Sequence, residues 1–370
     1  MLVGILKEIK VLENRVCMTP AGVIAMKKNG HDVLVEKNAG IGAGFPDAEY
    51  VAAGAAMADT PAQIFEKCDM VMHVKEPQPS EYDLIREDQI VFTYLHLAAD
   101  EQQTKALIKS KSIDIAYETI EKDNGSLPLL VPMSEVAGRM AAQEAAKYLE
   151  MPQGGMGILL GGVTGVEPAT VVVIGGGIVG INAAKMACGL GAKVYILDTN
   201  LERLAYLDDV MPANCFPIMS NPAILAELVA RADAVIGAVL VAGTKAPKLL
   251  TREMLKTMKK GSVIVDVAID QGGCFETSKA TTHADPTYEV DGVIHYCVAN
   301  MPGAVAKTST RALTNATLPY AIEIANKGWK KAMQENKEIK RGANVISGKV
   351  TYKAVAEAFG LDYTPVENFL

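Results

Sequence analysis

The segment ATVVVIGGGIVG, residues 169–180, decides the fold. Thr170 to Ile174 is a β-branched run bounded by glycine, the composition of a short buried strand. The next six residues fit G-x-G-x-x-G through Gly175, Gly177 and Gly180. INAAKMACGLG follows without a breaker and predicts a helix. A bare glycine pattern is weak; here strand, glycines and helix come in the order that phosphate binding requires. Gly175 permits the tight turn, Gly177 clears space for a pyrophosphate against the backbone, and Gly180 lets helix and strand pack closely. The helix N-terminus, including Ile178 and Val179, offers unsatisfied N–H groups and partial positive charge. The next strand, KVYILD, ends at Asp198, 23 residues after Gly175. A carboxylate there accepts from a ribose 2′-hydroxyl and repels a 2′-phosphate, which predicts NAD rather than NADP. Arg203, five residues on, fits either a phosphate contact or an ion pair with an acid.

Working outward, the same alternation recurs on both sides. Before the motif, LVGILKE, HDVLVEK, MVMHVKEP, IVFTYLHL and SIDIAYE read as strands. TPAGVIAMKKNG, FPDAEYVAAGAAMAD, TPAQIFEKC and DEQQTKALIKSK read as helices between them. SEVAGRMAAQEAAKYLE, residues 134–150, predicts a long helix capped by Ser134. After the motif, KVYILD, ADAVIGAVL, SVIVDVA and VIHYCVAN read as strands, and the stretch from Ser309 through GWKKAMQENKEIKRGANVISGKV as helical. Alternating strands and helices predict an α/β chain of two Rossmann-like doubly wound domains with a cleft between them. The predicted division is a discontinuous substrate domain, 1–130 plus 305–370, and a dinucleotide-binding domain, 131–304.

Bulk composition narrows the function classes. The chain has 370 residues, 49% of them hydrophobic, and two domains match roughly 100–200 residues each. A net charge of −7 with no basic stretch argues against nucleic acid. The opening MLVGILKEIK reads as a strand rather than a signal peptide, and the longest low-charge run is too rich in glycine and proline for a membrane helix. Six cysteines without a CxxC pair predict a reduced, cytoplasmic protein, and no spacing of Cys, His and acids reads as a metal site.

In doubly wound sheets, ligands bind beyond the carboxyl ends of the strands. The polar residues read as closing or following apolar strands are Arg15, Lys75, His96 and Asp270, with Asn300 a weaker fifth. Two cations, one imidazole and one carboxylate suit a small carboxylate substrate. Arg15 offers a bidentate fork, Lys75 a second cation, His96 a proton carrier near neutral pH, and Asp270 a partner for water or developing positive charge. Each also has an ordinary reading: a solvated arginine or lysine, or a structural histidine. Pattern alone does not rank His96 above His73, which precedes Lys75 on the same run.

Seven blocks together resolve that ranking: GILKEIKVLENRVCMTPAGV, HVKEPQPSEYDLI, TYLHLAAD, VPMSEVAGRMAAQEAA, GVTGVEPATVVVIGGGIVG, VDVAIDQGGCFETS and VANMPGAVAKTST. They resemble the alanine dehydrogenases, relatives of the NAD-binding subunit of proton-translocating transhydrogenase, across essentially the whole chain. The resemblance implies reversible NAD-dependent oxidative deamination of L-alanine to pyruvate and ammonia. It implies Arg15 and Lys75 as ligands of the substrate carboxylate, Tyr94, Met133 and Asn300 in the substrate pocket, His96 as the acid–base residue with Asp270 as its partner, and a structural His73. It extends the cofactor contacts to Ser134, Ser220, Val239, Leu240, Val267, Ile269, Asp270, Val298 and Met301, and it implies a homo-hexamer. Two rivals stay open: a transhydrogenase-type NAD-binding module of a membrane complex, which needs no substrate acid–base pair, and a dehydrogenase of a larger amino acid.

Overall fold

The computed structural model describes residues 1–239 and 246–370. The chain divides into two compact units, Met1–Met133 with Gly303–Leu370, and Ser134–Pro302.

In the first unit, β1 (Leu2–Ile5), β2 (Asp32–Glu36), β3 (Ala56–Ala58), β4 (Met70–Met72), β5 (Ile90–Thr93) and β6 (Ile113–Ala116) pair in parallel. In the second unit, β7 (Thr170–Ile174), β8 (Lys193–Asp198), β9 (Cys215–Met219), β10 (Ala234–Gly237), β11 (Val263–Asp266) and β13 (Val293–Tyr296) are parallel, and β12 (Thr287–Val290) closes one edge antiparallel to β13. The chain then returns to the first sheet: β14 (Ala343–Ile346) pairs antiparallel with β6 and hairpins into β15 (Lys349–Val350). Most of these parallel strands read as apolar runs because helices cover both faces; β1, β4, β5, β7, β10, β11 and β13 are buried almost throughout.

Strand order fixes where each sheet can bind. The first runs β15-β14-β6-β5-β4-β1-β2-β3 and the second β12-β13-β11-β10-β7-β8-β9. Winding reverses between β1 and β4 in the first sheet and between β7 and β10 in the second. These are the points where loops diverge and leave a crevice at the strands' carboxyl ends.

Several local expectations are corrected. AGAAMAD, read as the end of a helix, carries edge strand β3; the helix stops at Ala52 and Gly54 turns the chain at φ +96°. β9 went unread because Pro217 interrupts it, and an edge strand is where proline is tolerated. The antiparallel β12 was also unread. The C-terminal stretch is helical only to Arg341; Ala343–Val350 is a hairpin, its two-residue turn Ser347-Gly348 at φ +48° and +80°. Ser134 does not cap its helix, which begins at Val131 with Pro132 in the first turn, a position proline favours.

Candidate functional site

The second unit's sheet carries a glycine turn that opens helix Ile178–Gly189. Gly175 turns at φ +103°, and a Cβ there would lie 2.8 Å from the carbonyl oxygen of Ala238, where the β7 and β10 loops diverge. A Cβ at Gly180 would lie 1.8 Å from the carbonyl oxygen of Gly175, so helix Ile178–Gly189 abuts the turn without room for a side chain. A Cβ at Gly177 meets nothing within 4 Å: the N-cap of that helix faces open space, with Ile178 half-exposed beside it and Val179 buried behind. Backbone N–H groups at that helix N-terminus suit a pyrophosphate, and the three glycines fit the dinucleotide that the motif implies.

Asp198 ends β8 beside that turn. Its Oδ2 accepts from the Gly176 N–H at 2.8 Å and its Oδ1 from the Asn200 N–H at 2.9 Å. An ionised carboxylate has about four acceptor sites, so two remain for ribose hydroxyls. Arg203 is turned to the same loop: its Nε donates to the Gly176 carbonyl at 2.5 Å and its guanidinium lies over Tyr206. Ser220 follows β9 and its N–H donates to the Asp198 carbonyl. Val239 follows β10, Val267 and Ile269 follow β11, and Val298 and Met301 follow β13, all at the carboxyl edge of one sheet. Ser134 opens this unit inside the first turns of helix Val131–Tyr148. Leu240 lies outside the described residues.

Asp270 does not end a strand. It sits, exposed, four residues past β11 in the 3₁₀ turn Val267–Gln271. The acid that ends β11 is Asp266, fully buried, which accepts from the Ala268, Cys274 and Phe275 N–H groups and the Ser278 hydroxyl at 2.5–3.3 Å. Burial pushes the Asp266 carboxyl above its ordinary pKa, although those donors pull the other way. Asp266 thus closes the loop that presents Asp270, and sequence reading passed over it as part of the strand. Asn300 follows β13 at φ +62°, its carbonyl accepting from His283 Nε2.

In the first unit the candidate residues again gather at strand ends, though Lys75 and His96 each lie three residues beyond β4 and β5 rather than on them. Arg15, in the loop after β1, is 2% exposed. It forks onto Glu13, Nε to Oε1 at 2.7 Å and Nη2 to Oε2 at 2.5 Å, and its Nη1 lies 3.1 Å from Met133 Sδ. Burial alone lowers the guanidinium pKa; hydrogen bonding and charge from Glu13 outweigh it and hold Arg15 above its ordinary value. Removing either partner would strand a buried charge, at about 3–5 kcal/mol.

Tyr94 is buried, donating from its hydroxyl to the Leu129 carbonyl at 2.6 Å, and its ring stacks on His96 at 5.9 Å and 10°. His96 is half-exposed and adopts φ +50°, ψ +38°, a left-handed conformation uncommon outside glycine and asparagine. Glu118, just after β6, accepts from the N–H groups of Leu95 (3.2 Å) and His96 (2.6 Å) and lies 3.9 Å from His96 Nδ1. Sequence reading missed Glu118, yet its own rule, a polar residue closing an apolar run, finds it at the end of SIDIAYE. It missed Glu13 because nothing local distinguishes that acid from Glu8 or Glu76.

Two units, each a doubly wound and mostly parallel sheet, one with a glycine turn and strand-end acid and the other with a buried arginine and an accessible histidine at its strand ends, define a Rossmann-type dinucleotide-binding protein. The chain belongs to the alanine dehydrogenase/PNT family: the N-terminal domain profile of that family matches residues 4–137 and the C-terminal domain profile residues 141–353. It is 58% identical to the alanine dehydrogenase of Methanococcus maripaludis over 100% of both chains. Among solved structures, an L-alanine dehydrogenase superposes with a TM-score of 0.95 at 50% identity, covering 97% of this chain and 99% of that one. A transhydrogenase from Sinorhizobium meliloti superposes at 0.83 with 27% identity, covering 96% and 100%.

Among the described residues no helix is long and apolar enough to cross a membrane, and no group of His, Cys, Asp and Glu is placed to hold a metal ion. All six cysteines are buried and free.

Proposed function

We infer that this chain is an NAD-dependent L-alanine dehydrogenase, interconverting L-alanine with pyruvate and ammonia. The observation that carries the reading is the full-length match at 58% identity to an alanine dehydrogenase. The transhydrogenase likeness is weaker, and the accessible histidine and exposed Asp270 suit a reaction that moves protons on a substrate.

Gly175, Gly177, Gly180, Ile178 and Val179 would hold NAD at its pyrophosphate, and Asp198 at the adenosine ribose. Arg203, Ser134, Ser220, Val239, Val267, Ile269, Val298 and Met301 would supply its further contacts. When bound, it supplies the acceptor for the hydride that leaves the alanine Cα. Arg15 and Lys75 hold the substrate carboxylate, Arg15 steadied by Glu13. Tyr94, Met133 and Asn300 bound the space for a methyl side chain. Water adds to the resulting iminium carbon as His96 takes a proton from it; His96 returns that proton to the nitrogen and takes the hydroxyl proton as the carbinolamine collapses to pyruvate and ammonia. Asp270 stabilises the positive charge that the imidazole gains. Removal of such an acid–base group costs about 10²–10⁴ in rate. Position and electrostatics are what the protein contributes. The reading includes a cytoplasmic homo-hexamer.

The test is a panel of 2-oxo acids with NADH and ammonium. Pyruvate should be consumed fastest. Turnover only with a larger 2-oxo acid would support a different amino-acid dehydrogenase, and no turnover at all a non-catalytic module.

A further inference from the structure

The switch point of the first sheet, between β1 and β4, holds a buried charge network that the reaction as described does not use. Glu8 leaves β1 and His73 leaves β4, and Glu81 follows in the turn beyond; they are 8%, 2% and 2% exposed. His73 Nδ1 lies 3.3 Å from Glu8 Oε1 and its Nε2 3.4 Å from Glu81 Oε1. Burial alone would push the imidazole pKa down; the two carboxyl groups outweigh it and push it up to about 10, which favours the imidazolium between them. Glu81 also accepts from the Gln78 N–H at 2.8 Å.

Glu8 does more than pair with the imidazolium. β4 ends at Met72, so the next N–H groups have lost their ladder partners. Glu8 Oε1 accepts from the Val74 N–H at 2.6 Å, and both its oxygens lie 3.4 Å from the Lys75 N–H. The Lys75 carbonyl accepts from Thr93 Oγ1 at 2.9 Å, and Lys10 pairs with Glu76. The backbone of Lys75 is therefore held on both sides, and the segment that carries it is tied to the β1 loop twice.

We propose that Glu8, braced by His73 and Glu81, is the positioning residue that sets Lys75 against the substrate carboxylate. The inference rests on the reading of Lys75 as a substrate ligand. In Glu8→Gln the amide NH₂ competes with the Val74 and Lys75 donors and the imidazolium for acceptors. The segment shifts, and the Lys75 ammonium loses its place, while the glycine cradle, on the other unit, is untouched.

The experiment is steady-state pyruvate reduction at saturating NADH, with NADH affinity measured separately. Glu8→Gln should raise the pyruvate KM by about 10–100-fold, the size of one charge-assisted contact, with a smaller change in kcat and unchanged NADH affinity. A pyruvate KM within twofold of the unmutated enzyme, or an equal loss of NADH affinity, overturns the proposal. If Glu8→Gln does not fold, Glu8→Asp, which keeps the charge beside His73 but falls short of the Val74 and Lys75 N–H groups, is held to the same outcomes. Lys75→Ala separates the two claims. If it too leaves the pyruvate KM unchanged, the reading of Lys75 falls; if it raises KM and the Glu8 variants do not, the positioning role alone falls.

Discussion

Substituting Gly177 by alanine separates the cofactor cradle from the fold that makes it. Gly177 sits at φ −70°, ψ −165°, extended backbone that alanine adopts without strain, and an added Cβ would meet nothing within 4 Å. The stiffer unfolded chain favours Gly177→Ala by about 0.4–1 kcal/mol, and the poorer N-cap that alanine makes offsets it, so stability should change by less than about 1 kcal/mol. The methyl group would stand where a pyrophosphate approaches the N–H groups of helix Ile178–Gly189. Loss of one such charge-assisted contact costs about 1.5–3 kcal/mol, or about 10–150-fold in Kd. Gly180→Ala makes the contrast. Its Cβ would lie 1.8 Å from the Gly175 carbonyl oxygen, backbone against backbone, so the helix must move. Overpacking of this kind costs about 1–3 kcal/mol and can cost more. A fluorescence titration with NADH and a thermal unfolding curve for each variant suffice. Gly177→Ala should melt like the unmutated protein and bind NADH weakly; Gly180→Ala should melt early. NADH affinity within twofold of the original in Gly177→Ala refutes the cradle.

Asp198→Ala should narrow the preference for NAD over NADP, read as the ratio of kcat/KM for the two cofactors; equal use of both by the unmutated enzyme would remove Asp198 from the ribose. His96→Ala should lose about 10²–10⁴ in turnover while keeping its melting temperature, whereas His73→Ala should be destabilised by about 3–5 kcal/mol because two buried carboxylates lose their shared cation; a stable His73→Ala would deny that the imidazole is charged. Because the folded pKa of His73, about 10, exceeds its ordinary 6.5, its stabilisation is full below pH 6.5 and fades as pH rises through 10. Glu8, Glu81 and Glu36 are the carboxylates that act on it. Urea midpoints of the unmutated protein should therefore fall towards those of His73→Gln as pH climbs from about 7 to about 10.5, and parallel curves would count against the charged network.

What the sequence determined by itself is what local chemistry encodes within a few residues. A β-branched run, three glycines at fixed spacing, a helix and an acid at the next strand's end are legible because each element's geometry follows from its own composition. The same holds for the alternation that makes both sheets mostly parallel. The family blocks made the likeness to alanine dehydrogenases readable across the whole chain. Short or interrupted elements were not legible: β3 spans Ala56–Ala58 in an alanine-rich stretch, β9 contains Pro217, and β14 gains its strand state by pairing with β6, more than two hundred residues away in the chain. Propensity is a weak prior that such pairing overrides. Nor do strand ends reveal which acids face which cations. Glu8 and Glu118 look like ordinary surface carboxylates until the sheet brings them beside His73 and the loop of His96; Glu13, two residues from Arg15, looks the same until both are buried. Asp266 and Asp270 are four residues apart in one run, yet one is buried, closing its loop, and the other is exposed upon it. Burial is set by what packs over a residue from elsewhere in the chain, whether its partner is near or remote in sequence, so only the tertiary structure decided it.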